Sequence, residues 1–230
     1  MNIAIIPARF GSKRIKQKNI KMFFGKPIIF WSIKAALKAK IFDKIIVTTD
    51  SKKIANIAKK YKADVPFLRS KALSGDKIGT TEVIVDAIKK IEKKNIIPTF
   101  VCCIYPASPL IKSSDIVKAF KIIKKKRCNF VFSATKFENP VRRGFEISSK
   151  GETKMLFPKE YNKRTQDLDQ VYFDAAQFYW GKKSAWLEKK PLFNNNSTIV
   201  EIPKERSCDI DTPKDWQNAL KIAKTIKLKN

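Results

Sequence analysis

The sequence of 230 residues contains no histidine. This absence excludes Ser–His–Asp and Cys–His nucleophile pairs, HExxH metalloproteases and zinc sites with an imidazole ligand. It also removes the side chain that most often serves as a general base near neutral pH. Any catalysis must therefore use carboxylates, lysine or arginine side chains and a hard metal ion.

Long apolar runs are missing as well, since no stretch reaches the roughly 18 residues that a membrane-spanning helix needs. Seven glycines and eleven prolines are too few for a collagen-like or low-complexity chain. Residues 1–9 lead directly into a strand-like pattern and show no signal-peptide cleavage pattern. Because 43% of the residues are hydrophobic, the chain can bury a sizeable core, and we expect a soluble, cytoplasmic protein.

Acidic residues are scarce, with 21 Asp and Glu against 49 Lys and Arg and a net charge of +28. Such a charge can attract nucleic acid, anionic membranes or acidic substrates. Only eight of the basic residues are arginine, the usual bidentate reader of phosphate. We therefore interpret most of the charge as composition and solvated helix faces, and expect neither a nucleic-acid nor a membrane partner. A basic nucleic-acid-binding α/β protein is the alternative.

The four cysteines form no CxxC pair. Cys102 and Cys103 are adjacent in an apolar strand pattern, so their side chains should point to opposite faces and cannot form a disulfide bond. We interpret these two, together with Cys128 and Cys208, as buried structural thiols.

Short apolar runs alternate with longer segments of helical period. The predicted strands are Asn2–Pro7, Lys44–Thr49, Thr99–Tyr105, Asn129–Ala134, Ala176–Trp180 and Ser197–Ile202. The predicted helices are Pro27–Lys40, Ser51–Tyr61, Thr80–Lys93, Ser113–Lys126 and a last helix from an N-cap at Thr212 to about Lys227. This order predicts an α/β fold with a doubly wound, mainly parallel sheet. Ligands in such sheets bind beyond the carboxyl ends of the strands.

The alternation breaks between residues 136 and 173, where the sequence is rich in aromatic residues, proline and charge. We interpret this segment as a β-hairpin-like arm. No internal repeat or linker is visible. Residues 1–230 are therefore predicted to form one domain with an arm at about 136–173.

The loop after the first predicted strand is strongly basic. Around the turn Gly11-Ser12 it carries Arg9, Lys13, Arg14 and Lys18, which can converge on one ligand. The loop matches neither the GxGxxG fingerprint nor a Walker loop. Cations that converge beside such a turn can hold a triphosphate, and a basic solvated loop is the alternative.

Two further loops with candidate functional residues follow predicted strands. Tyr105–Pro109 contains two prolines, which stiffen a backbone that can face a ligand. Asp209 and Asp211, if extended, project to the same face and can share one Mg²⁺ ion. The alternative is that this pair merely ends a strand before the helix cap at Thr212. Asp50, after the second strand, is interpreted as a helix cap.

Together these loops carry a specific pattern. The opening segment reads Ile6-Pro-Ala-Arg-Phe-Gly-Ser-Lys13, followed by Ile15 and Lys18-Asn19. It resembles the start of the sugar-acid cytidylyltransferases, the CMP-sialic acid synthetase family. Further matching segments, which extend the resemblance over nearly the whole chain, are Val47–Asp50, Pro66–Arg69, Thr80–Thr81, Pro106–Pro109, Asp174–Gly181 and Asp209–Pro213.

Within that family the sequence departs from the sialic acid branch. Tyr105 stands where that branch carries a glutamine before its Pro-Thr-Ser-Pro turn, and Asp174–Gly181 replaces an Asn-Gly-Ala-x-Tyr strand. These departures resemble the branch that uses pseudaminic acid. A glycine is usual in that branch where this chain has Ala176, and the added methyl group can alter the fit of the sugar. Legionaminic acid, N-acetylneuraminic acid and the related octulosonic acid are the alternative substrates.

The resemblance implies a Rossmann-like nucleotidyltransferase that uses Mg²⁺ and joins CTP to a nonulosonic acid. The anomeric hydroxyl of the sugar would attack the α-phosphorus and release pyrophosphate, with mainly electrostatic catalysis. The implied catalytic residues are Arg9, Lys18 and Asp211, and the implied metal ligands are Asp209 and Asp211. The implied substrate-binding residues are Arg9, Ser12, Lys13, Lys18, Asn19, Arg69, Thr80, Tyr105 and Gln177. The resemblance also implies a homodimer, with the arm as a dimerisation arm that reaches the partner's site.

Overall fold

Strands and helices alternate along the chain in the predicted order. The computed structural model describes residues 1–226 and 228. Its strands are β1 (Asn2–Pro7), β2 (Met22–Phe23), β3 (Lys26–Pro27), β4 (Lys44–Thr48), β5 (Phe100–Ile104), β6 (Phe130–Lys136), β7 (Phe145–Ile147), β8 (Thr153–Met155), β9 (Tyr172–Lys182) and β10 (Ser197–Glu201). Its α-helices are α1 (Ile29–Ala39), α2 (Lys52–Lys60), α3 (Thr80–Glu92), α4 (Ser113–Lys125), α5 (Lys183–Leu187) and α6 (Pro213–Thr225). The predicted last residue of the final helix, Lys227, lies outside the described residues.

The start of α6 has the predicted form. The hydroxyl of Thr212 accepts a hydrogen bond from the backbone N–H of Asp215 at 3.3 Å, and the Asp215 carboxylate accepts one from the Thr212 N–H at 2.7 Å. This reciprocal capping box satisfies two backbone donors that the first helical turn cannot pair. It therefore fixes the place where the chain leaves the Asp209–Asp211 loop.

Within residues 1–226 the central sheet contains six strands in the order β10-β6-β9-β5-β1-β4. All neighbours are parallel except those of β9, which runs antiparallel between β5 and β6. The predicted mainly parallel α/β sheet is confirmed. Since β1 has β4 on one side and β5 on the other, the chain reverses its direction across the sheet at β1. Ligand sites in doubly wound folds lie at such a switch point.

Each face of the sheet is covered by its own apolar cluster. Cys102 and Trp180 point to the face that α1, α2 and α4 cover, and Cys103 and Tyr179 point to the face that α3 and α5 cover. All four cysteines are free thiols, and Cys208 is half-buried, unlike the other three. The opposite orientation of Cys102 and Cys103 agrees with the strand alternation. In the part of the chain that the structure describes, no helix is long and apolar enough to span a membrane.

A third apolar cluster lies beneath the basic loop. Ile15, Ile210 and Trp216 are buried there, and the ring of Phe23 meets that of Trp216 edge-on at 5.5 Å. Ile15 belongs to the basic loop and Ile210 lies between the two aspartates. Burial of such side chains contributes roughly 1.5–3 kcal/mol each. The cluster therefore holds two distant polar segments against each other.

Strand β9 contains an irregularity that the sequence pattern did not predict. Its pairing with β6 passes from Phe132↔Tyr179 to Ala134↔Asp174, so β9 has extra residues in a bulge. Ala176 lies in this bulge with φ 49°, in the left-handed region. That region costs a residue with a Cβ atom about 1–2 kcal/mol.

The segment between β6 and β9 forms a peripheral arm. Strands β7 and β8 pair as an antiparallel hairpin within it. Phe145 is 57% exposed, Ile147 is 68% exposed and Tyr161 is 66% exposed. The predicted hairpin is present, and its role in dimerisation stays a prediction.

Candidate active site

The loops that follow β1 and β5, the segment 69–83 and Asp211 line a cavity of about 280 Å³ at the carboxyl edge of the sheet. Ile5 of β1 pairs with Ile46 of β4 and with Cys103 of β5, so the three strands end side by side. The predicted site residues that line the cavity are Arg9, Ser12, Lys13, Lys18, Asn19, Arg69, Thr80, Tyr105 and Asp211. Residues that are far apart in sequence thus share one site.

The backbone of the basic loop is fixed by two polar side chains. Asn19, which is buried, donates from Nδ2 to the carbonyl oxygen of Arg9 at 2.9 Å. Asp50 accepts a hydrogen bond from the N–H of Phe10 at 2.9 Å. Asp50 is therefore not the helix cap that the sequence suggested; Ser51 caps α2 by accepting from Ile54 N–H at 3.4 Å. The aspartate instead ties the loop after β1 to the end of β4.

Asp76 contacts the first two cations of the loop. Its Oδ1 atom pairs with Arg9, and its Oδ2 atom lies 2.5 Å from Lys13 Nζ. Hydrogen bonds from Lys13 and Arg9 lower the pKa of the Asp76 carboxyl group. Sequence reasoning missed this residue because it lies in the loop before α3 and follows no strand.

Asp211 contacts two further cations of the loop. Its Oδ2 atom lies 2.7 Å from Arg14 Nη2 and its Oδ1 atom 3.1 Å from Lys18 Nζ. Lys18 also donates to the carbonyl oxygen of Ile210 at 2.7 Å. The basic loop and the loop before α6 are therefore joined at the cavity wall.

Arg69 is buried at the cavity with 6% of its surface exposed. Its Nε atom has no hydrogen-bond partner, and its guanidinium forms no ion pair within 4.0 Å, among the described residues. Desolvation lowers the pKa of Arg69, and the charge of Asp50 partly offsets this effect. A buried cation without a close partner is costly, so this side chain is suited to an anionic ligand.

Tyr105 stands at the end of β5 with its hydroxyl group inside the site. The hydroxyl lies 3.2 Å from Thr80 Oγ1, and the ring packs against Tyr179 at a centroid distance of 5.3 Å. Its backbone is fixed on both sides, by Ser32 Oγ at 2.7 Å and by the carbonyl oxygen of Gln177 at 2.9 Å. Burial raises the pKa of Tyr105 to about 12. The phenol is therefore neutral at physiological pH.

The two predicted metal ligands lie in an irregular segment and not in a strand. Buried Ile210 anchors the segment between them, Asp211 lines the cavity, and Asp209 is exposed. Desolvation of its carboxyl group and the charge of Asp211 raise the pKa of Asp209, although the residue as a whole is exposed. No group of three or more potential protein ligands occurs in residues 1–226 and 228. A metal here would need ligands from water or substrate as well.

Gln177 is absent from the cavity lining as far as the described residues define it. Its side chain is 2% exposed, and Nε2 donates to the carbonyl oxygen of Arg206 at 2.5 Å. Its Oε1 atom is buried without a partner in the described structure. The structure therefore brings the predicted nucleotide residues together around the cavity. The predicted sugar residue, Gln177 of β9, is buried beside it and does not line it.

The chain is similar to known proteins over nearly its whole length. The family model described as "Cytidylyltransferase" matches residues 3–230. The pseudaminic acid cytidylyltransferase of Campylobacter jejuni is 40% identical over 218 residues, which cover 95% of this chain and 94% of that protein. The CMP-N,N'-diacetyllegionaminic acid synthase of Legionella pneumophila is 33% identical over 222 residues, which cover 93% of this chain and 92% of that protein.

A solved structure of CMP:2-keto-3-deoxy-manno-octonic acid synthetase complexed with CTP has the same fold. It aligns with a TM-score of 0.72 at 14% identity and covers 98% of this chain and 99% of that chain. The resemblance drawn from the sequence is thereby confirmed: the chain belongs to the cytidylyltransferase family.

Proposed function

We propose that this protein is a pseudaminic acid cytidylyltransferase, which converts CTP and pseudaminic acid to CMP-pseudaminic acid and pyrophosphate. The convergence of Arg9, Lys18 and Arg69 on one cavity carries the nucleotide part of the proposal. The identity of the sugar is inferred from relatives that are pseudaminic acid cytidylyltransferases and align over nearly the whole chain. Free cysteines and CTP both fit a reducing cytoplasmic compartment.

The cations of the cavity hold the triphosphate in this proposal. Arg9, Lys13 and Lys18 come from one short loop, so they can contact adjacent phosphate groups. Arg69 approaches from the other wall and is already desolvated, which strengthens its attraction for phosphate. Ser12 adds a small hydroxyl group in the turn. The chain thereby stabilises the negative charge that develops on the phosphates during transfer.

Three further residues of the cavity lining, Asn19, Thr80 and Tyr105, hold the nucleoside in this proposal. Asn19 has a buried Oδ1 atom without a partner in the described structure, which can accept from a ligand N–H or O–H group. Thr80 and Tyr105 offer hydroxyl groups 3.2 Å apart. Because the phenol of Tyr105 stays protonated, it can donate as well as accept. These groups supply the kind of polar contact that distinguishes cytosine from uracil.

A Mg²⁺ ion fits the donor set of the Asp209–Asp211 loop. Both side chains are carboxylates, the hard oxygen ligands that Mg²⁺ prefers, and the ion usually keeps waters and phosphate oxygens as its other ligands. When bound, it would lower the pKa of a coordinated hydroxyl group. Asp211 would exchange its ion pairs with Arg14 and Lys18 for the metal. The two cations would then face the phosphates.

The sugar is proposed to bind beside Asp211, over the first half of β9, which lies at the carboxyl edge of the sheet. Gln177 lies beneath this surface with a buried, unpaired Oε1 atom, and we propose that this atom is uncovered when the sugar binds and accepts from an acylamino or hydroxyl group. We further propose that the protein is a homodimer. The exposed Phe145, Ile147 and Tyr161 of the arm supply the apolar surface that a partner would cover.

The proposal is tested by pyrophosphate release from CTP and Mg²⁺ in the presence of pseudaminic, legionaminic or N-acetylneuraminic acid. Release with pseudaminic acid alone is expected. Release with another acid alone would keep the nucleotide site and replace the sugar. No release with any of the three would contradict the proposed reaction.

The role of Tyr105 is tested separately in the same assay. Tyr105→Gln introduces the residue of the sialic acid branch, and Tyr105→Phe removes only the hydroxyl group. If Tyr105 contacts the base, both variants lose part of the preference for CTP over UTP while the choice of sugar is retained. A change in sugar choice with unchanged nucleotide preference would assign Tyr105 to the sugar pocket instead.

A further inference from the structure

The cavity contains a carboxylate in a place where a nucleotide needs positive charge. Five cationic side chains and two carboxylates are present among the described lining residues, namely Arg9, Lys13, Arg14, Lys18, Arg69, Asp76 and Asp211. Asp211 already has a proposed task as a metal ligand. Asp76 has none, and its carboxylate contacts two cations that the proposed function assigns to phosphate groups.

The two carboxylates are held in different ways. The backbone N–H of Asp211 donates to Asp215 at 3.1 Å, and the neighbouring Ile210 is buried in an apolar cluster. Asp76 lies in an exposed loop between Gly75 and Gly79, and the side-chain contacts recorded for it go to Arg9 and Lys13. Its side chain is 36% exposed. The Asp76 carboxylate can therefore leave its partners without disturbing a packed element.

The geometry of the Asp76 contacts matches that of a phosphate group. One oxygen atom pairs with Arg9 and the other with Lys13, so the carboxylate bridges both cations from across the cavity. A phosphate that binds to these cations must replace the carboxylate, because like charges at hydrogen-bond distance repel strongly. Ligands that carry several phosphate charges replace it more readily than ligands with few.

We propose that Asp76 is an exchangeable counter-ion that occupies the phosphate position on Arg9 and Lys13, competes with bound phosphates and returns when pyrophosphate leaves. It thereby favours the triphosphate substrate over ligands with less charge. The inference rests on the proposed function for the identity of the nucleotide. The exchange of a carboxylate for phosphate, however, concerns any polyphosphate and is tested without turnover.

The test is a calorimetric titration of the full chain at fixed Mg²⁺ with inorganic pyrophosphate, CTP and cytidine. Asp76→Asn removes the charge and keeps the shape of the side chain. Asp64→Asn is the matched control, because Asp64 is exposed, pairs with Lys44 at 3.9 Å and lies away from the cavity. Both variants change the net charge of the protein by the same amount. Thermal unfolding of each variant confirms that it is folded.

Asp76→Asn is expected to bind pyrophosphate and CTP about 3- to 10-fold more tightly than the wild type, the range expected for removal of exposed competing charge pairs. Cytidine affinity should be unchanged, and Asp64→Asn should resemble the wild type. The inhibition constant for product pyrophosphate should fall by the same factor.

Several results would overturn the inference. Weaker binding by Asp76→Asn would make Asp76 a cation ligand or a positioning residue. Unchanged pyrophosphate affinity, or equal tightening by Asp64→Asn, would show that the ion pairs do not compete with the ligand. Absence of pyrophosphate binding in both proteins would overturn it too. If pyrophosphate binds and CTP does not, the proposed function fails, and the pyrophosphate comparison still decides the role of Asp76.

Discussion

Two buried arginines lie in different regions of the molecule and have opposite surroundings. Arg69, at the cavity beside β4, is 6% exposed and has no ion pair within 4.0 Å in the described part of the chain. Arg206, in the turn after β10, is 7% exposed and lies 2.5 Å from Asp115. The carbonyl oxygen of Arg206 also accepts a hydrogen bond from Gln177 Nε2.

This difference distinguishes a ligand-binding region of the molecule from a structural one. A buried charge that has a close partner within the protein holds two elements together. A buried charge without such a partner costs stability, and it is typical of a site where a ligand of opposite charge supplies the partner. By this criterion the β5-β1-β4 side of the sheet is the binding side, and the region under β9 and β10 supports it. Substitutions in both regions test this division.

The largest effect is expected for Asp211→Asn on the binding side. Loss of the carboxylate removes a proposed Mg²⁺ ligand and the partner of Lys18, so turnover should fall on the order of 1,000-fold. The thermal unfolding temperature should be nearly unchanged. Asp215→Asn is the control at the same helix start; it should lower stability by about 1 kcal/mol through the capping box and leave turnover nearly intact. Steady-state pyrophosphate release measures both. Near-normal turnover of Asp211→Asn would remove the metal assignment.

The contrast between the two buried arginines is tested by Arg69→Met and Arg206→Met. Arg69→Met should raise the KM for CTP by about 10- to 100-fold while the unfolding temperature stays equal or rises, because an unpaired buried charge is removed. Arg206→Met leaves the largely buried Asp115 carboxylate without its partner and should cost about 3 kcal/mol of stability with an unchanged KM for CTP. Urea unfolding and steady-state kinetics report the two quantities. If both variants lost stability and kept CTP affinity, the division would be wrong.

A smaller effect is expected for Gln177→Leu. Gln177 connects the structural region around Arg206 with the proposed sugar site. Loss of the Oε1 acceptor should raise the KM for the sugar by about 5- to 20-fold, since one unmade hydrogen bond in a buried site is worth roughly 1–2 kcal/mol. The KM for CTP should not change. A loss of stability with both KM values intact would make Gln177 a structural residue of the Arg206 region.

The smallest effect is expected for Ala176→Gly. Glycine relieves the left-handed conformation, which costs alanine about 1–2 kcal/mol, and loses about 0.5–1 kcal/mol through the added freedom of the unfolded chain. The net gain in unfolding free energy should be about 0.5 kcal/mol, measured by urea denaturation. A loss above about 1 kcal/mol would mean that the methyl group packs favourably in the bulge.

The sequence predicted the binding side well because its signals are local. Apolar runs located β1, β4 and β5 to within a residue or two, and the carboxyl ends of parallel strands meet at one edge. The turn chemistry at Thr212 gave the start of α6 directly. The family pattern then connected the three loops with CTP.

The region around β9 was harder to predict, for physical reasons. A bulge shifts the alternation of β9, so the side to which Gln177 points does not follow from counting residues. Helix α5 has five residues, too few to show a helical period. Asp76 was missed because ion pairs across a cavity depend on tertiary structure and leave no mark in the local sequence.

The central claim is that the cavity between Arg9, Arg69 and Asp211 is the CTP site. A crystal structure of the protein with CTP and Mg²⁺ tests it most directly. The account predicts a triphosphate in contact with Arg9, Lys18 and Arg69, with the base near Tyr105. A nucleotide bound elsewhere, or one in this cavity without contact to Arg69, would contradict it.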